Sequence, residues 1–152
     1  MGKPFVAILM GSPSDTDVMR KAEKQLADFD IPSEMHVRSA HRQHAALMEY
    51  VTQAEARGVG AYICGAGMAA ALPGVVAAAT TKPVIGVPIA SGGLGGLDAL
   101  LAIAQMPKGV PVACVAVDGA QNAAILAAQI LASADPDLAA KVAAFKQKQA
   151  EV

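Results

Sequence analysis

The chain has 152 residues, 54% of them hydrophobic and 16% charged, with a formal net charge of -1 at pH 7. Soluble domains average roughly 45–50% apolar and about 25% charged residues, so this surface carries too little charge for a monomer and is expected to be buried partly against other subunits. A near-neutral chain with no basic stripe excludes nucleic acid and acidic membrane as partners held by charge.

The length fits one domain, residues 1–152, by the usual range of about 100–200 residues, with a tail helix from about 135. Cys64 and Cys114 form no CxxC or Cys/His spacing. They read as small core residues in a reducing compartment, with no disulfide. Met1-Gly2-Lys3-Pro4 lacks the apolar core and cleavage site of a signal peptide, so the expected location is cytoplasmic. Gly58 to Thr81 is free of charge, but Gly65, Gly67 and Pro73-Gly74 break it into a strand, a loop and a buried helix rather than a membrane span.

In chain order, Phe5–Met10 is a continuous apolar run and reads as a parallel strand buried on both faces. Gly11-Ser12-Pro13-Ser14-Asp15 turns into a helix capped by Ser14 or Asp15, with Val18, Ala22, Leu26 and Phe29 as its apolar stripe, ending near Asp30-Ile31-Pro32. A second strand covers about Ser33–Arg38, and a second helix about Ala45–Arg57, closed by Gly58. The third strand is Ala61–Cys64, followed by a loop from Gly65 and a small-residue helix through about Ala79. Pro83–Pro88 is the fourth strand and opens into a flexible loop, Ala90–Gly96. Asp98–Gln105 forms a helix, Met106–Gly109 a turn, Val110–Val117 a fifth strand, and about Asn122–Leu131 a further helix. The charged tail helix, Leu138–Gln149, is expected on a neighbouring subunit or in solvent. Strands alternating with helices specify an α/β fold, a three-layer, doubly wound parallel sheet with right-handed crossovers.

Ser39-Ala40-His41-Arg42 lies where a strand ends and a helix begins, the edge of an open α/β sheet at which ligands bind. A hydroxyl, an imidazole and a guanidinium beside helix-start N–H groups suit an anionic ligand that also needs a proton moved. The plainer reading of the same four residues is a capping Ser39 with solvated neighbours. Gly65-Ala66-Gly67-Met68-Ala69-Ala70 fits a dinucleotide fingerprint, yet Ile85-Gly86-Val87 stands where a ribose-binding acid is required. Its glycines still allow a backbone to approach a ligand closely. Gly11–Asp15 lacks the Gly-Lys-Ser/Thr of a P-loop, although Asp15 could accept from ribose hydroxyls. No metal-ligand spacing is visible, and His36 and His44 read as structural or solvated.

Val6–Asp15, Ser39-Ala40-His41-Arg42, Gly65-Ala66-Gly67, Leu72-Pro73-Gly74, Pro83–Pro88 and Gln105-Met106-Pro107 occur in an order and at spacings that resemble the phosphoribosylaminoimidazole carboxylase catalytic subunit, or N5-carboxyaminoimidazole ribonucleotide mutase, family. The resemblance spans nearly the whole chain. It implies a flavodoxin-like fold, no cofactor, no metal, a small ribonucleotide substrate with CO2 as intermediate or co-substrate, and a homo-octamer with active sites between subunits. It also implies roles for particular residues. Ser12 and Asp15 would hold the ribose-phosphate end, Ser39 and Arg42 the phosphate, and His41 would shuttle the proton. Ala66 and Gly67 would face the ring and carboxylate, with Ser14, Ala71 and Leu72 completing the binding set and Ala90–Gly96 acting as a partial lid.

Three departures from the mutase pattern stand out. Met68 replaces a glycine; Ala71 replaces a histidine, which the branch that carboxylates aminoimidazole ribonucleotide directly also lacks; and Val117–Asn122 is shorter than in the mutase pattern. Arg42 matches the mutase branch, where the direct carboxylases carry lysine. The expected activity is therefore the mutase, with direct carboxylation as the alternative and a non-catalytic nucleotide-binding module as a remote one.

Overall fold

The computed structural model describes residues 2–152. Five strands form one sheet in the order β2-β1-β3-β4-β5: β1 (Phe5–Met10), β2 (Ser33–Val37), β3 (Val59–Gly67), β4 (Val84–Ile89) and β5 (Ala113–Cys114). Every pairing is parallel. This is the flavodoxin-like order, with its switch point between β1 and β3. Between and after the strands lie α1 (Thr16–Asp28), α2 (His44–Ala56), α3 (Leu72–Ala79), α4 (Leu97–Ala104), α5 (Ala120–Ala132) and α6 (Pro136–Gln149).

The uninterrupted apolar runs of β1 and β4 follow from helices covering both sheet faces, and every residue of both strands is buried. On one face, Val6, Ile8, Met10, Ile63, Ile85 and Val87 pack under α1, α5 and α6. On the other, Ala7, Leu9, Tyr62 and Cys64 meet Leu47 of α2, Val76 of α3 and Ile103 of α4. Ala120, Ala123, Ala124, Ala127 and Ala128 are fully buried along α5, so α1 and the sheet come close to its backbone. Between α1 and α5, the buried Gln25 is satisfied because Gln121 Nε2 donates to its Oε1 at 2.9 Å. Cys64 and Cys114 are both free thiols, and burial pushes the Cys64 pKa up.

Several expectations need correction. Met19, not Val18, joins Ala22 and Leu26 as a fully buried member of the α1 stripe, because its side chain fills the space over Gly65; the helix starts at Thr16 after a 3-10 turn, Pro13–Asp15, capped by Ser12. Neither Ser14 nor Asp15 caps α1 through its side chain. β3 does not stop at Cys64 but runs through Gly67, pairing Gly65, Ala66 and Gly67 with Val87, Pro88 and Ile89. A Cβ at Gly65 would lie 2.3 Å from Met19 Sδ, and one at Gly67 would lie 2.2 Å from Ser91 Oγ. Glycine is what lets the strand continue there.

The fifth strand, expected over Val110–Val117, shrinks to two residues. Pro111 has no N–H to donate, and a tight turn in which Gly119 N donates to Ala116 O at 2.8 Å ends the run. The tail helix docks on its own chain. Asp135 caps it at Leu138 N (3.1 Å), Leu138 and Val142 are buried, Phe145 meets Phe29 edge-on at 5.3 Å between ring centroids, and Lys141 pairs with Asp30 at 2.6 Å. Among the described residues no helix is long and apolar enough to cross a membrane.

Gly86 in β4 sits against α4, where a Cβ would fall 2.4 Å from Ile103 Cγ2 and 3.1 Å from Val112 Cγ1. Both are branched side chains without a free end to swing aside. Gly86→Ala should therefore destabilise the fold by roughly 1–3 kcal/mol, read as a lowered urea midpoint at unchanged slope.

Candidate active site

The carboxyl ends of β1, β2, β3 and β4 open onto one cavity of about 550 Å³, a volume within the roughly 300–1,000 Å³ of small-molecule sites. Its lining includes Ser12, Ser14 and Asp15 after β1, Ser39, His41 and Arg42 after β2, Ala66 and Gly67 at the end of β3, and Ala71 and Leu72 where α3 begins. All ten residues singled out from the sequence meet there. The cavity occupies the β1/β3 switch point, where diverging crossovers leave a crevice.

Residues the sequence reading did not single out as site residues also line it: Gly11, Ala40, Met68, Ala69, Ala70 and Ser91. Ser91 belongs to the loop read as a lid, and its side chain rests on Gly67. Met68 and Ala70 have left-handed φ of 54° and 43°, uncommon for residues with a side chain. They turn the chain between β3 and α3 so that the whole 66–72 segment forms one wall.

The polar groups hold one another in place. Ser12 Oγ and Ser14 Oγ are 2.9 Å apart. Ser39 Oγ accepts from Arg42 N at 3.1 Å and Arg42 Nε at 3.4 Å, while Arg42 Nη2 donates to the Gly11 carbonyl at 2.9 Å. Ser39 N in turn donates to Gln43 Oε1 at 2.9 Å. The capping reading of Ser39 thus holds locally, since its hydroxyl closes the 39–42 turn, although Gln43 is the residue that precedes α2. The bond to the Gly11 carbonyl carries Arg42 across to the end of β1, where its guanidinium stands at the cavity mouth with His41, both exposed.

Asp15 is different. It is only 7% exposed. Burial pushes its carboxyl above the ordinary range, a Ser12 backbone hydrogen bond works against this, and the charge of Asp118 adds to the rise.

His36 and His44 lie outside the cavity. His36 Nε2 sits 3.4 Å from Glu34 Oε2 and its ring packs on Tyr50, beside the Glu34–Arg57 ion pair, which holds the Glu34 carboxyl down at about 2. Among the described residues no three His, Cys, Asp or Glu side chains cluster at metal-binding spacing.

A family model described as AIR carboxylase matches residues 5–152. The chain belongs to the AIR carboxylase family. Among its relatives, the N5-carboxyaminoimidazole ribonucleotide mutase of Mycobacterium tuberculosis is 53% identical over 99% of this chain and 86% of its own length. The enzyme of the same name from Pyrococcus abyssi is 53% identical over 97% of this chain and 84% of its own. The crystal structure of Treponema denticola PurE superimposes with a TM-score of 0.90 at 32% identity, covering 97% of this chain and 92% of that one. The family's fold is therefore the fold found here, and the cavity lies on its sheet edge.

Because the folded Asp15 pKa is raised, the stability linked to this group is complete below its unfolded value and is lost as pH rises through the folded one. At neutral pH the buried carboxylate is a net cost. Asp15→Asn should raise the melting temperature of the substrate-free protein at pH 7, and the gain should shrink as pH falls towards about 4, the ordinary carboxylate range. Calorimetry across that range checks both the sign and the window.

Proposed function

We propose that this chain is an N5-carboxyaminoimidazole ribonucleotide mutase of purine biosynthesis. The observation that carries the reading is the convergence of His41, Arg42 and the four serines Ser12, Ser14, Ser39 and Ser91 on one edge cavity, in a chain about half identical to relatives bearing that name. Arg42, with Ser39 and Ser12 beside it, takes the phosphate, since a planar guanidinium matches phosphate oxygens in a fork. Asp15 and Ser14 accept from and donate to the ribose. Ala66 and Gly67 present backbone to the ring, with Ala71 and Leu72 closing the wall behind it.

His41 handles the proton. As an imidazolium it protonates the exocyclic nitrogen while the N–C bond breaks, and CO2 leaves with the nitrogen retaining the bond pair. C4 of the freed aminoimidazole then attacks CO2, and neutral His41 removes the C4 proton. The imidazole ends as it began. The walls keep CO2 beside C4 between the two steps.

Direct carboxylation of aminoimidazole ribonucleotide is the second reading, prompted by Ala71, but the relatives' names and Arg42 favour the mutase. The deciding experiment supplies N5-carboxyaminoimidazole ribonucleotide in one assay and aminoimidazole ribonucleotide with bicarbonate in another. Efficient turnover confined to the first is expected, turnover confined to the second would reverse the choice, and binding without turnover in either would make this a binding module. His41→Asn should lower kcat by about 10²–10⁴-fold with KM nearly unchanged. Arg42→Leu should instead raise KM tenfold or more, as hydrogen bonds to charged groups are worth roughly 1.5–3 kcal/mol.

The working form is a homo-octamer, and two free thiols suit the cytoplasm. Self-association is supported by Leu94, Leu97 and Leu101, which are 64%, 55% and 51% exposed in and just before α4. Leu97→Glu with Leu101→Glu should reduce the sedimentation coefficient to that of a smaller species, while an unchanged coefficient would move the interface elsewhere.

A further inference from the structure

Asp118 lies outside the cavity, yet it is tied to the cavity's loop. It follows β5 and precedes α5, in a left-handed conformation with φ of 59°, which aspartate tolerates better than most residues. Its carbonyl accepts from Ala120 N at 3.0 Å at the start of α5, and its other two bonds go to the exit of β4. Its N–H donates to the Pro88 carbonyl at 2.7 Å, and its Oδ1 accepts from Ala90 N at 3.0 Å, 28 residues away in the chain. Beyond Ala90 the loop is Ser91-Gly92-Gly93-Leu94-Gly95-Gly96, too rich in glycine to hold a shape by itself.

The contacts around the loop make Asp118 its clasp. The two ends touch, since a Cβ on Gly96 would lie 3.1 Å from Ala90 Cα and 2.9 Å from Val117 Cγ1. Ser91 fills the space over Gly67, and Met68 packs against Gly92 at 3.3 Å from where its Cβ would be. Ser91, Gly67 and Met68 all line the cavity. Among the described residues, the Asp118 carboxylate is the one side chain that hydrogen-bonds to the loop.

We propose that Asp118 is a positioning residue: by holding Ala90 it seats Ser91 on Gly67 and so keeps closed the wall behind the reacting ring. The phosphate end, at Ser39 and Arg42, lies on the β1–β2 side and does not depend on it. This rests on the mutase reading, in which CO2 has to stay in the pocket between release and recapture. A loosened wall lets CO2 escape, so the carbamate substrate plus one proton ends as aminoimidazole ribonucleotide and CO2 rather than as the C4-carboxylated product.

The test compares Asp118→Gly, which accepts the left-handed backbone but has no acceptor, with Asp118→Asn, which retains a carbonyl acceptor. Hydrogen exchange of the peptide spanning 89–97 is read on the free protein. Asp118→Gly should exchange there about tenfold faster at an unchanged melting temperature. With N5-carboxyaminoimidazole ribonucleotide, its kcat should fall about tenfold with KM within twofold, and the share of turned-over substrate ending decarboxylated should rise above the enzyme-free background. Asp118→Asn should restore exchange, kcat and partition. Wild-type partition and exchange in Asp118→Gly, or equal damage in both variants, would overturn the proposal. A wild-type chain that turns over no substrate would refute the mutase reading alone, and the exchange comparison would still decide whether Asp118 anchors the loop.

Discussion

Parallel pairing of β1 with β3, in register from Val6 opposite Ala61 to Met10 opposite Gly65, is the constraint on which the site depends. The chain leaves β1 for β2 on one side and returns through α2 to β3 on the other. The connections at the carboxyl ends of these two strands must therefore diverge, and the gap between them is the cavity. Gly11 N donates to the Gly65 carbonyl at 3.3 Å, which extends the pairing one step past β1 to the cavity's floor. Everything that lines the cavity hangs from this pair or from its immediate neighbours, β2 and β4.

The glycines of β3 turn that pairing into a site. Each marks a place where another part of the chain occupies the volume of a side chain: Met19 from α1 at Gly65, Ser91 from the β4 loop at Gly67. Three segments distant in sequence thus meet within van der Waals distance of one strand end. Close packing of this kind leaves little room for rearrangement, so the wall is set before any ligand arrives. Ser12, Ser14, Ser39 and Arg42 add the same property in polar form, because they hydrogen-bond to one another and to the Gly11 carbonyl.

Asp15 is the exception to that economy. Its carboxylate is buried by the turn that joins β1 to α1, and no basic group of the cavity offsets the loss of solvent. A buried charge without a cationic partner lowers stability, the Ser12 backbone hydrogen bond offsets only part of that cost, and a ligand hydroxyl would add further bonds. Sites commonly hold such cost while the surrounding packing carries the fold, and here two apolar layers do so.

Much of this was legible in the sequence because the signals are local. Strand runs such as Phe5–Met10, the Ser39–Arg42 turn between alternation and helical period, and the glycines after Tyr62 each follow from a few neighbouring residues. These signals set Ser39–Arg42, Gly11–Asp15 and the Gly65–Gly67 stretch at strand ends that share one sheet edge, while Ala71 and Leu72, at the start of α3, were expected only through the family resemblance. What the sequence could not set was whatever depended on another part of the chain. Met19 rather than Val18 is fully buried because its side chain fills the space that Gly65 leaves open. β3 outruns its apolar stretch because Met19 and Ser91 fill the glycine gaps, and β5 is cut short by Pro111 and the turn at Ala116–Gly119. The tail helix folds back because Phe29 and Asp30 offer Phe145 and Lys141 partners more than a hundred residues away. Periodicity and turn chemistry are properties of adjacent residues, and they fixed the elements and their order. Register, strand length and the company each side chain keeps are settled by volumes and hydrogen bonds that exist only once distant segments pack.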